Sequence, residues 1–177
     1  MGRGTWVVIG AAAALGLGAA LWLGRSEEPP TEEQRIRALL EGAAKAAAER
    51  KADEVIEILS ARFEGGGGGE LGGRASRDDV KRLVAFELLR GRWVSVELLD
   101  PPRIEVREGR ARAVVDAVLS RSAGARGRLS DLLPGEYSLH RFALELAIED
   151  EEWRVVRGTW RPIGLDEALS GPAAPDW

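Results

Sequence analysis

Residues 141–160, RFALELAIEDEEWRVVRGTW, decide the fold of this 177-residue chain. Apolar and polar residues alternate along the first half of this stretch, which is the period of a strand buried on one face. The apolar positions are Phe142, Leu144, Leu146 and Ile148. The acidic run 149–152 interrupts the alternation, and Trp153 opens a second run rich in β-formers. The stretch therefore predicts an antiparallel hairpin that turns at 149–152.

Further strand patterns precede the hairpin. The longest covers 110–121, and its alternate apolar residues share one face: Ala111, Ala113, Val115, Ala117 and Leu119. Shorter alternating runs lie at 93–98 and 104–106, and a polar insertion at 122–138 separates the longest strand from the hairpin. Together these runs predict a meander of about four long antiparallel strands.

The first part of the domain has the period of helices instead. Thr31 and Gln34 have the spacing of a capping box, and apolar residues then recur every three or four positions. This pattern predicts a helix over 32–50 and a shorter second helix over 52–59.

A third helix is predicted from Ser76, its N-cap, to Arg90. The glycines at 65–69, 72 and 73 predict a flexible loop before it, and 165–170 predicts a short helix after the hairpin. Helices followed by strands predict an α+β domain, with a curved antiparallel sheet of about four strands packed on three helices.

This element order, closed by an acidic turn and Trp153-Arg154-Val155-Val156, resembles the nuclear transport factor 2-like superfamily and its polyketide-cyclase-like members. The resemblance covers residues 32–162. It implies a conical fold with a pocket between sheet and helices, in a family that includes enzymes, ligand binders and non-catalytic scaffolds. Its isomerase-like members would need an oxyanion-donating Tyr on the first helix, whereas the only Tyr of this chain is Tyr137, in the insertion.

A run of 19 residues without charge, Trp6–Gly24, precedes this domain. As a helix it would be roughly 28 Å long at about 1.5 Å per residue, close to the hydrocarbon thickness of about 30 Å, and a Trp stands near each end. The run predicts a membrane anchor. The alternative is a cleavable signal peptide, with an apolar core from Trp6 to about Leu17 and small residues at 18–20 before the cut.

The flanking charges favour a cytoplasmic amino terminus, because Arg3 precedes the run and an acidic stretch follows it. The predicted organisation is an anchor or signal segment at 1–25, a linker at 26–31, the folded domain at 32–163 and a C-terminal tail at 164–177. The domain then lies on the periplasmic or extracellular side of an inner (plasma) membrane, or is secreted after cleavage.

Composition narrows the function classes. The chain has no Cys and one His, His140, so the sequence predicts no disulfide framework, lipid-attachment cysteine or zinc site. Two of its 25 Lys and Arg residues, Arg3 and Arg25, precede residue 26, so residues 26–177 carry 23 basic and 29 acidic side chains, a net charge of −6. That balance argues against nucleic acid as a partner. We predict no metal and no cofactor.

Two carboxylates are candidates for a pocket. Glu87 falls in the apolar arc of the third predicted helix, and Asp116 lies between Val114 and Val118 on one face of the longest strand. Burial among apolar residues would suit either one to general acid–base catalysis. The structural alternative is that Glu87 pairs with Arg90 and that Asp116 joins a ladder of charges across neighbouring strands. No residue is predicted to be catalytic.

Two residues of the last strand are candidates for an interface. Trp153 and Trp160 are seven positions apart, so strict alternation puts them on opposite faces. We expect Trp153 to pack against the first helix. Trp160 and Val156 would then form exposed apolar surface for a homodimer or for another envelope protein.

These observations support two function classes. The leading one is a membrane-tethered extracytoplasmic binding or assembly domain without catalytic activity, in contact with the lipid bilayer through residues 6–24. The alternative is a pocketed small-molecule enzyme or ligand carrier of the polyketide-cyclase-like kind. A closed cavity with Glu87 or Asp116 directed into it would favour the alternative.

Overall fold

The structure is a computed structural model, and it describes residues 29–67, 73–89, 95–121 and 136–173. The predicted anchor or signal segment and most of the polar insertion lie outside these ranges. Within them, no helix is both long and apolar enough to span a membrane. The chain divides after Pro30, and Thr31–Trp177 form the folded unit.

Side-chain caps mark the starts of the first and third helices. Thr31 and Gln34 form the predicted capping box: the Thr31 hydroxyl accepts from the Gln34 N–H at 3.2 Å, and the Gln34 side chain accepts from the Thr31 N–H at 2.8 Å. At the third helix, the Ser76 hydroxyl accepts from the Asp79 N–H, and the Asp79 carboxylate accepts from the Ser76 N–H and O–H. The helices are α1 (Glu32–Ala48), α2 (Ala52–Glu57), α3 (Arg77–Leu89) and α4 (Leu165–Leu169).

The described residues form a seven-stranded sheet, more than the four long strands expected. The strands are β1 (Leu59–Gly67), β2 (Ala75–Ser76), β3 (Ser95–Leu98), β4 (Arg103–Arg107), β5 (Arg110–Ser120), β6 (Tyr137–Glu149) and β7 (Glu152–Pro162). Their order is β2-β1-β7-β6-β5-β3, and β4 also pairs with β5. All neighbours are antiparallel except β1 and β7, which run parallel. The extra strands arise because α2 ends at Glu57 and the chain then enters β1 instead of a loop.

The start of the glycine-rich segment is a strand, which corrects the expectation of a flexible loop there. Gly65–Gly67 pair with Gly158–Trp160 of β7. A Cβ atom on Gly67 would lie 2.6 Å from the Trp160 indole, and one on Gly65 would lie 2.5 Å from the Phe63 ring. These distances are too short for a side chain. Glycine is therefore required here by close packing, not by flexibility.

One face of the sheet, called the inner face below, carries the main core. Trp153 is buried there, and its indole N–H donates to the Glu32 carboxylate at 2.5 Å, which ties the end of the hairpin to the start of α1 as expected. The other buried members are Ile36, Leu40, Phe63, Ala111, Ala113, Val115, Leu146 and Val155.

The hairpin of β6 and β7 forms as predicted, with its turn within residues 149–152. Asp150 and Glu151 both have positive φ, 50° and 67°, as a two-residue type I′ turn requires. Further along β7, Leu146 pairs with Val155 but Glu145 pairs with Arg157. Val156 is therefore an extra residue in β7, a β-bulge.

The bulge reverses the alternation of β7 beyond Val156. Trp160 stands directly opposite Phe142, and Phe142 stands opposite the core residue Val115. Residues directly opposite one another share a face of the sheet. Trp160 thus lies on the inner face with Trp153, which corrects the expectation that it lies on the outer one.

Candidate functional site

The outer face of the sheet, opposite the core, carries a long depression. Two adjoining hollows of about 520 and 430 Å³ make up this depression, and Arg112, Glu145 and Arg157 line both of them. We call it the arginine trough. Its outward-facing residues are Ser60, Arg62 and Glu64 of β1; Arg110, Arg112 and Val114 of β5; Arg141, Ala143, Glu145, Ala147 and Glu149 of β6; and Arg157 and Thr159 of β7, with Ala173 at one end.

The shape of the trough follows from the side chains that the strands present. Strand β6 forms the floor, where Ala143 and Ala147 are small. Strands β5 and β7 flank it and present longer side chains, chiefly Arg112 and Arg157. At the larger hollow the lining continues past β7 to Ser60, Arg62 and Glu64 of β1. Glu145, which Arg112 and Arg157 flank, stands between these two alanines, so one hollow lies over Ala147 and the other over Ala143.

The ion pairs between residues that line the larger hollow are long. Glu145 lies between two of them, 3.5 Å from Arg112 and 3.9 Å from Arg157. Arg62, with 89% of its side chain exposed, is 3.4 Å from Glu149. Arg110 makes no ion pair with any residue that the structure describes. Strong guanidinium–carboxylate hydrogen bonds measure about 2.7–2.9 Å, so the pairs that Glu145 and Glu149 make with these arginines are longer than strong ones.

Glu64, at the β1 side of the trough, is held differently. Arg74 donates to both of its carboxylate oxygens at 2.9 Å, and this hydrogen bonding lowers the pKa of Glu64. Arg74 does not line the trough, so its charge cancels that of Glu64 from outside. The larger hollow is therefore lined by four arginines against two glutamates that no outside cation neutralises.

At the other end of the trough, Asp116 belongs to a compact ion network. Its side chain has no exposed surface, and both oxygens accept from Arg141, from Nε and Nη2, at 2.7 Å. Arg141 also donates to Glu167 of α4 at 2.7 Å, and Arg161 bonds the same carboxylate. The bond from Arg161 lowers the pKa of Glu167, and the bond to Asp116 raises the pKa of Arg141. The network clamps α4 onto the outer face.

The two candidates for a pocket, Asp116 and Glu87, have different positions and surroundings. Asp116 lies on the outer face, paired with Arg141 across the strands, which is the ladder that the structural alternative describes. Glu87 is half-buried on α3 and lines neither hollow of the trough. The structure does not bring them together. Arg90, the proposed partner of Glu87, lies outside the described residues.

The interface candidates are also separated. Val156, at the bulge, is half-buried and lines the larger hollow. Trp160 is half-buried on the inner face beside Gly67. Near it on that face is His140, whose ring lies 6.4 Å from that of Phe142 and whose Nε2 is 2.7 Å from the Ser138 hydroxyl. Burial lowers the pKa of His140.

Sequence reasoning missed the trough as a site. One signal was available: arginines at alternate positions, 110 and 112, on a strand whose other face is apolar. The contribution of Arg62 and Arg157 depended on the strand order and on the bulge, which no local pattern shows. Within the described ranges, no group of three His, Asp or Glu residues is placed to hold a metal ion.

No family model and no curated protein sequence matches the chain, but solved structures share its fold. A nuclear transport factor 2-like protein of unknown function from Shewanella oneidensis is 12% identical, with a TM-score of 0.58 over 74% of this chain and 99% of that one. One with a cystatin-like fold from Novosphingobium aromaticivorans is 19% identical, with a TM-score of 0.54 over 89% and 90%. A candidate scytalone dehydratase from the same species is 17% identical, with a TM-score of 0.55 over 75% and 85%. Such likeness establishes a nuclear transport factor 2-like fold.

Proposed function

We propose that this nuclear transport factor 2-like domain is a non-catalytic binding or assembly module that works through the arginine trough on its outer face. The observation that carries the proposal is the trough itself, with its two adjoining hollows. It joins exposed, loosely paired guanidinium groups to a floor of small residues. Surfaces that combine a depression with exposed charged groups suit contact with another macromolecule.

The hydrogen bonds of Asp116 support a role for the domain without acid–base chemistry. Both of its oxygens are engaged by Arg141, and the pair is packed under α4. A general base must present an oxygen within hydrogen-bond reach of the proton that it removes. Asp116 has neither a free oxygen nor a position on the inner face, where the fold family places its pocket.

The proposal includes the tether. The uncharged run Trp6–Gly24 would hold the domain at the outer side of a bacterial inner membrane, with a linker of six residues to the folded unit. Tethering confines the trough to a layer next to the bilayer and raises its effective concentration towards membrane partners or a second copy of the chain.

The absence of cysteine makes a direct test simple. Ala143→Cys places one thiol on the exposed floor of the trough, and Glu41→Cys places one on the exposed side of α1 as a matched control. The full chain is produced in bacterial cells and labelled with a photoreactive maleimide that cannot cross the membrane. We expect discrete adducts, with a second copy or with another envelope protein, from Ala143→Cys alone.

Adducts of equal yield from both positions, or from neither, would contradict the use of the trough. Labelling of either thiol only after the cells are lysed would contradict the extracytoplasmic location. A chain released by alkaline carbonate washing would contradict the retained anchor.

One observation favours the ligand-carrier alternative as a second candidate. The bulge turns Trp160 to the inner face, where it lies near half-buried Phe142 and His140. Such a patch suits a small aromatic or apolar ligand. Saturable binding of an apolar fluorescent dye that Trp160→Ala abolishes, with folding unchanged, would support this candidate. Binding that is unaffected would count against it.

A further inference from the structure

We propose that the edge of β4 that faces away from β5 is a docking site for an extended segment of a partner protein, which adds to the sheet as an antiparallel strand. The segment carries an acidic, a basic and an acidic residue at alternate positions, with apolar residues between them. We call this edge the β4 edge. It is a second contact surface of the domain, and its use does not depend on the arginine trough.

The backbone of β4 has hydrogen-bonding groups that β5 does not use. Glu108 and Gly109 both have positive φ, 48° and 74°, as the central residues of a type I′ hairpin do. In such a hairpin the residue before the turn, Arg107, is hydrogen-bonded to the opposite strand. Every second residue of β4 then bonds to β5, and the N–H and C=O groups of Ile104 and Val106 point away from it. Within the described residues these groups have no hydrogen-bond partner, and no further strand pairs with β4.

A row of alternating charge crosses the outer face of the sheet and ends at the β4 edge. From β4 to β1, the residues that stand opposite one another are Glu105, Arg112, Glu145, Arg157 and Glu64. Opposite charges on neighbouring strands stabilise a sheet, whereas like charges directly opposite one another destabilise it. A basic residue placed opposite Glu105 on an added strand would therefore continue the row.

The arginines of β4 that flank Glu105 select acidic residues on the added strand. Arg103 stands opposite Val114 of β5, and Arg107 stands opposite Arg110, a like charge. Strand β5 thus offers neither arginine an acidic residue in the directly opposite position. The charged side chains of β4 all project from the outer face, because they lie at alternate positions. An added strand presents its own alternate side chains beside them on the same face, so the order acidic, basic, acidic gives an attractive pair at every position.

The remaining positions of β4 select apolar residues. Ile104 and Val106 project from the inner face, where they stand opposite Ala113 and Ala111 of the core. Val106 is 36% exposed. An apolar residue beside it on an added strand would cover part of that surface.

The charge order of β4 disfavours a second copy of this chain as the occupant. If β4 paired antiparallel with itself along its full length, Arg103 would face the partner's Arg107, and Glu105 would face the partner's Glu105. Like charges in these positions are repulsive, and such charges protect sheet edges from self-association. A shift of the register by two residues relieves the repulsion but pairs only part of the strand. A different protein with the complementary order fits the whole edge.

The test uses the full chain in neutral detergent micelles and measures amide hydrogen exchange at single residues by nuclear magnetic resonance. The matching peptide is Thr-Glu-Val-Arg-Val-Glu-Thr with both ends blocked. At saturation we expect it to slow the exchange of the Ile104 and Val106 amides at least about tenfold. The amide of Glu105 already bonds to β5, so its exchange rate should change less than about twofold.

Three control peptides separate the roles of backbone and charge. N-methylation of both Val residues removes the N–H groups that would bond to Ile104 and Val106. Thr-Val-Glu-Arg-Glu-Val-Thr has the same composition with its charges on consecutive residues, and Thr-Arg-Val-Glu-Val-Arg-Thr has the inverse charges. We expect each to bind at least about tenfold more weakly than the matching peptide. The inverse peptide is positive and the chain is negative, so non-specific attraction would act against this result.

A charge exchange in the chain identifies the β4 edge as the binding surface. Glu105→Lys should weaken binding of the matching peptide about tenfold or more. Glu54→Lys makes the same charge change on the exposed side of α2 and should alter binding less than about twofold. A peptide with Glu in place of the central Arg should bind Glu105→Lys more tightly than it binds the unaltered chain. If Glu105→Lys unfolds the domain, the comparison of the peptides on the unaltered chain still decides.

Several results would overturn the proposal. Slow exchange of the Ile104 and Val106 amides before any peptide is added would show that another part of the chain already covers the β4 edge. Protection that rises with the concentration of the chain alone would identify a second copy as the occupant. Equal binding of the matching and inverse peptides, or equal loss with Glu105→Lys and Glu54→Lys, would refute the role of the charge order.

Discussion

Replacement of Arg141 by Leu should remove a large part of the free energy of unfolding of this domain. The Asp116 side chain is fully buried, and both of its oxygens depend on the Arg141 guanidinium at 2.7 Å. Removal of that cation leaves a carboxylate that has no exposed surface and has lost both of these hydrogen bonds. Breaking a buried pair in this way costs about 3–5 kcal/mol. Since domains of this size have total stabilities of about 5–15 kcal/mol, the loss should be visible as a large fall in the urea midpoint.

The matched control removes both charges together. Asp116→Val combined with Arg141→Leu replaces the pair by apolar side chains beside Val114 and Val118, on the same strand face. Such replacements are often neutral or stabilising by about 1–4 kcal/mol. Urea titrations of the single and double variants, followed by far-ultraviolet circular dichroism, complete a double-mutant cycle. A loss below about 1 kcal/mol for Arg141→Leu, or a double variant as unstable as the sum of the singles, would refute the reasoning.

Three further predictions concern the inner face. Trp153→Ala should lower the free energy of unfolding by about 3–5 kcal/mol in a urea titration, because it empties a buried site; a loss below about 1 kcal/mol would contradict its core position. Burial lowers the pKa of His140 from 6.5, so the stability contributed by its neutral form is complete above pH 6.5 and is lost as the pH falls below that value. His140→Gln should therefore reduce the change of the thermal midpoint between pH 7 and 5. An unchanged slope of midpoint against pH would count against this reasoning. Gly67→Val should destabilise by about 1–3 kcal/mol through collision with Trp160, whereas Gly42→Ala, which meets no atom within 4 Å, should be neutral or stabilising in the same thermal scan.

Local signals predicted most of the elements. The capping box at Thr31 and the acidic turn before Trp153 appear where the sequence placed them, because each is decided by residues within four positions of one another. The prediction of the nuclear transport factor 2-like fold, based on the order of these elements, agrees with the structure.

The errors arose where distant residues decide local structure. Gly65–Gly67 have the composition of a loop, and glycine is necessary in this strand because of close contacts with the Trp160 indole, the Phe63 ring and backbone oxygens of neighbouring strands. The face of Trp160 depended on a bulge that a count of alternating residues does not contain. The trough was missed for the same reason: its arginines come from strands far apart in the chain, and the strand order brings them together.

Because Val156 is an extra residue in β7, the last strand is sensitive to the deletion of one residue at this position, although it is not sensitive in this way to substitution. Deleting this one residue while keeping the hairpin would shift everything after it by one step of the pleat. Trp160 would turn out to solvent, and Arg157, Thr159 and Arg161 would turn towards the interior. Any comparison of this strand with a relative must therefore fix the gap at position 156 before equating residues beyond it, because one misplaced gap exchanges the lining of the trough for the lining of the core.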